Sequence, residues 1–170
     1  MIKKRMVKKI LDPCCGSRMF YFDKENPEVM FTDNRELEDT LCDGRKLEVK
    51  PDKIMDFRNM EFEDKTFKLV IFDPPHMKSL GKNSWMAKKY GVLGETWRED
   101  IKKGFSECFR VLEDDGMLIF KWNETDIKVR EVLELTDYNY VIGHKSGKLM
   151  KTHWLTFMKS EKQLKDSPKP

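Results

Sequence analysis

No stretch of this 170-residue sequence approaches the roughly eighteen consecutive apolar residues that a membrane-spanning helix needs. The N-terminal segment MIKKRMVKKI also lacks the apolar centre of a signal peptide, which predicts a cytoplasmic protein with no membrane partner. Apolar residues nevertheless recur in periodic blocks, as in a folded rather than a disordered chain. The length then predicts one globular domain.

Cysteine occurs only four times, at Cys14, Cys15, Cys42 and Cys108, and in no metal-binding pattern. The four residues form no Cys-x-x-Cys pair and lack the cysteine–histidine spacing of zinc sites. Because the cytoplasm is reducing, the thiols are expected to stay unpaired. The sequence therefore predicts neither a metal site nor a disulfide. Cys108 lies on the apolar face of a predicted helix, which places it in the core.

Acidic side chains are missing from two segments that are rich in basic residues. Residues 1–11 carry five Lys and Arg, residues 76–92 carry four Lys, and neither segment contains a carboxylate. The net charge of +3 is too small to indicate a polyanionic partner by itself. Basic segments beside a site would suit an anionic substrate, although an ordinary solvated surface explains them equally well.

The apolar blocks alternate between strand-like and helix-like patterns, which is typical of an α/β sheet. Strands are predicted at residues 6–12, 29–32, 53–57, 67–72 and 117–122, and helices at residues 18–24, 97–112 and 125–135. Thr96 and Glu99 have the spacing of a capping box for the second helix. Residues 34–52 are predicted to be irregular, with a turn at Asp43-Gly44, and residues 74–95 to form a long loop.

The last two apolar blocks, residues 138–145 and 152–159, predict a hairpin across Ser146-Gly147. Residues 1–159 would then form a single-domain, doubly wound sheet that is mostly parallel and ends in an antiparallel hairpin. Residues 160–170 are predicted to be a flexible basic tail. In such a sheet, ligands bind beyond the carboxyl ends of the strands, so the residues that follow each strand are candidates for the site.

Small residues follow the first predicted strand, in the order Asp12, Pro13, Cys14, Cys15, Gly16 and Ser17. A turn of this kind lets the backbone approach a ligand closely. It is neither a P-loop nor a dinucleotide-binding loop, because Gly16 is its only glycine and no Gly-Lys-Ser/Thr follows. A plain tight turn is an equally good interpretation of these residues alone.

Acidic residues lie at the ends of the next two predicted strands, directly after the second and within the last two residues of the third. Asp33 is placed to accept hydrogen bonds from two ribose hydroxyls. Asp56 could accept a hydrogen from an adenine amino group, and Phe57 could stack on the ring. Because aspartate is common in turns, solvated turn residues remain an alternative for both positions.

The fourth strand ends in Asp73-Pro74-Pro75-His76, the most informative tetrapeptide in the chain. Two prolines stiffen the backbone and remove two N–H donors. The Asp73 carboxylate and the Pro74 carbonyl are then acceptors for both hydrogens of an exocyclic amino group. His76 offers a flat ring on which a base could stack. A loop that is merely stiffened by proline is the less favoured interpretation.

These loops resemble the donor site of class I S-adenosylmethionine-dependent methyltransferases. Enzymes of this class that methylate exocyclic amino groups often read Asp-Pro-Phe-x-Gly-Ser-Gly in their first loop. Here the segment is DPCCGSRMF, so that Arg18 stands where the last glycine is usual. The resemblance implies that S-adenosylmethionine is bound by residues of the first three strand ends: Asp12, Pro13, Cys14, Cys15, Gly16, Ser17, Asp33, Asp56 and Phe57.

The tetrapeptide DPPH is similar to the Asp/Asn/Ser-Pro-Pro-Tyr/Phe/Trp/His catalytic motif of the amino-group methyltransferases. The resemblance covers roughly residues 6–122 and extends to short stand-alone enzymes of bacteriophages and mobile elements. It implies methyl transfer to an amino nitrogen, with Asp73, Pro74, Pro75 and His76 as catalytic residues. DNA N6-adenine is the first expected target. RNA, a small molecule and a protein amide are alternatives, and so is a non-catalytic donor-binding regulatory protein.

A nucleic-acid partner would need basic and aromatic residues near this motif. Candidates for substrate binding are the residues that follow the tetrapeptide and the lysine that ends the fifth strand: Lys82, Trp85, Lys88, Lys89, Tyr90 and Lys121. Contact of these side chains with the rest of the fold is at least as good an interpretation.

Overall fold

A seven-stranded sheet forms the centre of the computed structural model, which describes residues 8–81 and 84–165. Its strands lie in the order β5-β2-β1-β6-β7-β9-β8. Their bounds are β1 Ile10–Asp12, β2 Val29–Asp33, β5 Lys53–Ile54, β6 Phe67–Phe72, β7 Leu112–Asn123, β8 Tyr140–Ser146 and β9 Thr152–Met158. The five strands from β5 to β7 in this order run parallel to one another. Strand β9 pairs antiparallel with β7, and β8 pairs antiparallel with β9. This confirms the predicted, mostly parallel sheet with its closing hairpin.

One long helix covers one face of the sheet. The helices are α1 Trp85–Tyr90, α2 Trp97–Val111 and α3 Val129–Leu133, followed by a 3-10 turn at Glu161–Gln163. The apolar side of α2 packs on alternate residues of β6, β7 and β9, and Cys108 is fully buried there, as predicted. Gly104 of α2 lies so close to Phe57 and Phe72 that an added Cβ would be 2.6 Å from Phe72 Cζ. The helix is therefore held tightly against the strand that leads into the tetrapeptide.

The predicted helix at residues 18–24 is wrong, because these residues form turns. Arg18 has a φ of 54°, in the left-handed region where a right-handed helix cannot begin. Its guanidinium group donates a hydrogen bond to the carbonyl of Lys24, which folds the segment back on itself. The connection from β1 to β2 thus crosses the sheet without a helix, and Met19 and Phe20 remain exposed on it.

The prediction of an irregular segment at residues 34–52 is also wrong. Strands β3, Leu37–Thr40, and β4, Lys46–Val49, pair there as a separate antiparallel hairpin. The turn at Asp43-Gly44 is confirmed, with a φ of 82° at the glycine. The hairpin forms because its few apolar residues share one face and make their own small core: Leu37, Leu41, Leu47 and Val49.

Several predicted boundaries differ from the observed ones. Strand β5 contains two residues instead of five, and β7 begins at Leu112 instead of residue 117. Helix α1 interrupts the predicted long loop. The predicted capping box is wrong, because Thr96 donates its hydroxyl to the Asp100 carboxylate at 2.8 Å and does not cap the helix backbone. Helix α3 begins after Lys128, so Thr125 does not cap it.

The first part of the predicted tail is ordered against the fold. Leu164 forms a β-bridge with Tyr138, and the Lys165 amide donates to the Asp137 carbonyl. The division at residue 159 remains a prediction, and residues 166–170 lie outside the described part of the chain. None of the helices in the described segments has the length and apolarity that crossing a bilayer requires.

Candidate active site

The carboxyl ends of β1, β2, β6 and β7 meet at an open cleft of about 1010 Å³, measured out to its mouth. Most of the predicted site residues line the cleft: Pro13, Cys14, Cys15, Gly16, Ser17, Asp33, Phe57, Asp73, Pro74, Pro75, His76, Lys89, Tyr90 and Lys121. The predicted donor loop and the predicted catalytic tetrapeptide therefore face a common space.

Four predicted residues do not line the cleft, and one lies outside the described residues. Asp12, Asp56, Trp85 and Lys88 are absent from its walls, and Lys82 is the residue outside the described part of the chain. The walls also contain residues that sequence reasoning missed: Met19, Phe20, Asn34, Arg35, Gly91 and Val92. The position of Met19 and Phe20 directly after the first loop was a usable signal. Asn34 and Arg35 directly follow Asp33, and Gly91 and Val92 directly follow Tyr90, so position in the sequence is a usable signal for them as well.

Asp12 supports the first loop from below. Its carboxylate is 1% exposed and accepts hydrogen bonds from the Cys14 amide at 3.2 Å and the Tyr21 hydroxyl at 3.0 Å. Gly16 has a φ of 48°, and an added Cβ there would meet no atom within 4 Å. Burial raises the pKa of the Cys14 and Cys15 thiols, so both are neutral at physiological pH. The loop thus presents backbone and uncharged sulfur to the cleft.

Burial also raises the pKa of Asp12 to about 7, against the hydrogen bonds from Tyr21 and Cys14 that lower it. Between pH 4 and pH 7 this carboxyl group binds a proton in the folded chain but not in the unfolded chain. We therefore expect the free energy of unfolding to fall as pH rises through this window, by up to about 4 kcal/mol. Asp12→Asn should remove this part of the dependence, measured by urea unfolding at pH 5 and pH 8. A difference between variant and wild type that is the same at both pH values would contradict the prediction.

Arg18 does not enter the cleft, although it replaces the usual glycine. Its side chain is 11% exposed and turns under the loop. There it donates hydrogen bonds to the Lys24 carbonyl at 2.6 Å and the Lys50 carbonyl at 2.8 Å, and it forms ion pairs with Glu25 and Asp52. The guanidinium carbon is 4.0 Å from the centroid of the Phe31 ring. Arg18 keeps the left-handed backbone that glycine would adopt, and it anchors the segment in place of a helix.

We expect Arg18→Ala to lower the free energy of unfolding by about 2–3 kcal/mol, because two backbone carbonyls lose a charged donor and the mostly buried guanidinium group no longer packs on the Phe31 ring. Arg45→Ala is the matched control, since Arg45 is exposed and its only ion pair within the described part of the chain is with the neighbouring Asp43. The control should leave the free energy of unfolding almost unchanged, because an exposed ion pair contributes little to stability. Urea unfolding measures both variants. Equal effects of the two substitutions would show that Arg18 has no anchoring role.

The Asp33 side chain is held in place by hydrogen bonds from neighbouring residues. Its carboxylate accepts hydrogen bonds from the Gly16 amide at 3.0 Å and from the Arg35 amide and Nε, each at 3.1 Å. Arg35 in turn donates to the Lys88 carbonyl at 3.0 Å. The residue that ends β2 is thereby connected to both the first loop and helix α1. Its orientation toward the cleft is set before any ligand binds.

Asp56 is directed to Arg58 instead of the cleft. The Arg58 guanidinium group donates to both carboxylate oxygens, and these hydrogen bonds hold the pKa of Asp56 below its usual value. The structure therefore does not bring this carboxylate to the predicted adenine position. Phe57 does line the cleft, with its ring centroid 5.5 Å from that of Phe72. The third strand end contributes an aromatic face to the site.

Asp73 lies deep in the cleft beside Lys121 of β7. Lys121 Nζ is 3.0 Å from Asp73 Oδ2, and both side chains are mostly buried. Burial raises the pKa of Asp73, and the lysine opposes that rise. Burial lowers the pKa of His76 to about 4, so its ring is neutral at pH 7. The His76 ring lies between those of Tyr90 and Trp122, with centroids 5.9 and 6.3 Å away.

Helix α1 brings two of its four predicted substrate-binding residues to the cleft. Lys89 and Tyr90 line the cleft, with Lys89 Nζ 5.0 Å from the Tyr90 ring centroid. Lys88 forms an ion pair with Asp39 at 2.6 Å, outside the cleft. Trp85 is exposed, away from the cleft walls. Of the two described lysines predicted from this basic segment, Lys89 therefore lines the cleft and Lys88 does not.

Solved structures with a similar fold include methyltransferases. The PH0226 protein from Pyrococcus horikoshii OT3 is 16% identical over 93% of this chain and 84% of that chain, with a TM-score of 0.59. A TehB-like S-adenosylmethionine-dependent methyltransferase from Corynebacterium glutamicum is 16% identical over 91% and 81%, with a TM-score of 0.57. The 1,6-didemethyltoxoflavin-N1-methyltransferase of Burkholderia thailandensis, solved with 1,6-didemethyltoxoflavin and S-adenosylhomocysteine, is 12% identical over 89% and 71%, with a TM-score of 0.51.

No protein-family model and no curated protein sequence matches the chain. The structural likeness establishes the fold: a Rossmann-like sheet of the kind found in class I S-adenosylmethionine-dependent methyltransferases, as the sequence predicts. Because a fold of this kind can be shared by enzymes with different substrates, the function has to be argued from the cleft.

Proposed function

We propose that this protein is an S-adenosylmethionine-dependent methyltransferase that acts on an exocyclic amino nitrogen of a nucleic-acid base, with DNA N6-adenine as the first expected target. The observation that carries the proposal is the position of Asp73-Pro74-Pro75-His76. This tetrapeptide follows the buried strand β6 and shares one cleft with the glycine loop that follows β1. A methyl donor and an amino acceptor could therefore be bound next to each other.

The residues present fit the donor. Gly16 leaves open space for close approach of a ligand to the backbone, and Asp33 is oriented at the position where ribose hydroxyls are bound in such sheets. Phe57 offers an apolar face for the adenine ring. When bound, S-adenosylmethionine supplies an electrophilic methyl group on a sulfonium ion.

The chain's own residues would orient the acceptor. The Asp73 carboxylate and the Pro74 carbonyl accept the two amino hydrogens, which directs the nitrogen lone pair toward the methyl group. The described residues place no hydrogen-bond donor on Asp73 Oδ1, so that oxygen is available for this contact. As positive charge develops on the nitrogen, the carboxylate stabilises it. His76 is neutral and can stack on the ring without repelling the developing charge.

A base in a duplex would have to leave the stack to reach this depth. The aromatic rings of His76 and Tyr90 border the space that the base would enter, and Lys89 lies at the same wall. These contacts are sequence-tolerant, because every base has a flat face and every nucleotide a phosphate. They favour nucleic acid as the carrier of the amino group.

A small molecule with an amino or ring nitrogen is the second candidate acceptor. The Burkholderia neighbour is an N1-methyltransferase solved with 1,6-didemethyltoxoflavin. In addition, Lys88 is held by Asp39 outside the cleft, which leaves fewer cations for phosphate contacts. Methyl transfer to RNA or to a protein amide would use the same Asp73 and Pro74 acceptors.

The deciding experiment is transfer of a labelled methyl group from S-adenosylmethionine to DNA, RNA, protein and small-molecule extracts in parallel, with Asp73→Ala as the control. Label in N6-methyladenine of DNA, lost in the variant, supports the proposal. Label in another fraction alone assigns the enzyme to that acceptor. Donor binding measured by calorimetry without any labelled acceptor identifies a non-catalytic binding protein. Absence of donor binding refutes the proposal altogether.

A further inference from the structure

Lys121 is the one basic residue of β7, and its side chain lines the cleft. It follows Phe120, which is fully buried, and precedes Trp122, which is buried as well. The alternation of the strand directs Lys121 to the opposite face of the sheet from these two residues. There its ammonium group lies 3.0 Å from Asp73 Oδ2.

Two aromatic rings hold this ammonium group in place. Lys121 Nζ is 4.7 Å from the centroid of the Phe20 ring and 5.7 Å from that of the Trp154 ring. The two rings contact each other edge to face, with centroids 5.2 Å apart. Cation–π attraction and the ion pair therefore act on the same group from different sides. Phe20 is available for this contact because residues 18–24 form turns instead of the predicted helix.

The ammonium group has hydrogen-bonding capacity left. A lysine ammonium carries three N–H donors. Among the described residues, only Asp73 accepts a hydrogen bond from it. The cleft consequently presents an acceptor, Asp73 Oδ1, beside a fixed donor, Lys121 Nζ. Adjacent acceptor and donor groups are the complement of a base edge on which an amino group neighbours a ring nitrogen.

We propose that Lys121 donates a hydrogen bond to an acceptor atom next to the methylated amino group, so that the site selects amino groups with a neighbouring lone pair. The inference rests on the proposed function and narrows its substrate class. Adenine, with N1 beside the N6 amino group, and cytosine, with N3 beside the N4 amino group, fit this pattern. Alkyl amines and guanidinium groups do not, because they offer no such acceptor and would place a cation beside Lys121.

The test combines a substrate change with a residue change. Short oligonucleotides carry adenine, 1-deazaadenine or 7-deazaadenine at the target position, and kcat/KM is measured for wild type and Lys121→Met. In wild type we expect 1-deazaadenine to be at least tenfold poorer than adenine, since a buried charged donor is left without its partner. The 7-deaza analogue keeps N1 and should be methylated normally. In Lys121→Met the discrimination against 1-deazaadenine should disappear.

A binding measurement removes turnover from the comparison. Fluorescence anisotropy is measured with saturating S-adenosylhomocysteine. Wild type should bind the adenine oligonucleotide more tightly than the 1-deazaadenine oligonucleotide, and Lys121→Met should bind both with equal affinity. Lys68→Met is the matched control. Lys68 is an exposed lysine at the opposite end of the strand that leads to Asp73, and its loss should leave both ratios unchanged. Calorimetry with S-adenosylhomocysteine checks that the donor site of each variant is intact.

The pH dependence of kcat distinguishes two roles of Lys121, which are a hydrogen bond to the substrate and neutralisation of the Asp73 charge. Without the lysine, the pKa of buried Asp73 should rise further, and the acid limb of kcat should move to higher pH. The inference is supported if Lys121→Met shows this shift of the acid limb and also loses the discrimination against 1-deazaadenine. It is overturned if the variant shows the shift but keeps full discrimination, because Lys121 would then interact with Asp73 alone. Methyl transfer to alkyl amines by wild type also overturns it. Absence of transfer to any amino group refutes the proposed function itself.

Discussion

Asp73→Ala is expected to lower kcat for methyl transfer by about 10²–10³-fold, the usual loss when one preorganised polar group at the reacting centre is removed. The carboxylate orients the amino group and stabilises the charge that develops on it, whereas the donor is bound by other strand ends. Affinity for S-adenosylhomocysteine should therefore stay within about threefold of wild type. The measurement is steady-state transfer of labelled methyl groups, with calorimetry for the donor.

Asp114→Ala is the control for this prediction. Asp114 is exposed, pairs with Lys65 at 2.6 Å and lies outside the cleft. Replacing Asp114 by alanine should leave kcat unaltered. If Asp73→Ala keeps wild-type kcat, or loses donor binding to the same degree as activity, Asp73 does not act on the acceptor. The methyl group would then be transferred elsewhere in the cleft.

Asp33→Ala is expected to weaken donor binding by about 10–100-fold, because hydrogen bonds from ligand hydroxyls to a charged acceptor are lost. The substitution also leaves the Gly16 amide and the Arg35 side chain without their acceptor. Asp33→Asn, which retains an oxygen for the Gly16 amide, should be intermediate. Calorimetric titration with S-adenosylmethionine and S-adenosylhomocysteine measures these affinities.

Glu36→Ala is the matched control, since this nearby carboxylate is exposed and outside the cleft walls. It should bind the donor as wild type does. A wild-type affinity in Asp33→Ala would place the ribose elsewhere and remove the main support for the donor half of the site. Thermal unfolding of each variant distinguishes loss of a contact from loss of the fold.

The parallel sheet and the two strand ends with the clearest chemistry were predictable. The mostly apolar run of β6 predicts a strand of the central sheet, and the tetrapeptide that follows it lies at the carboxyl edge of the sheet. Gly16 and Asp33 follow their strands in the same way. Such predictions succeed because strand polarity and burial depend on residues that are adjacent in sequence.

Side-chain ion pairs decide the positions that strand periodicity does not. The sequence shows Arg18 only as a departure from glycine, whereas its partners Lys50 and Asp52 lie more than thirty positions away. Asp56 is predicted to face a ligand, but its carboxylate pairs with Arg58, which also pairs with the helix residue Asp100, and it does not line the cleft. The catalytic and binding roles of the cleft residues stay predictions until the variants are measured.

The sequence by itself determined where most strands of the central sheet lie along the chain, the apolar run that ends in Asp73-Pro74-Pro75-His76, and the small-residue loop at Gly16, because periodicity and backbone stiffness are local properties. Only the tertiary structure decided which charges meet. It brought Lys121 to Asp73, turned Arg18 away from the cleft, and set Phe20 and Trp154 around one ammonium group. Electrostatic and aromatic contacts depend on distance in space, and strand pairing brings together residues that are far apart in the chain.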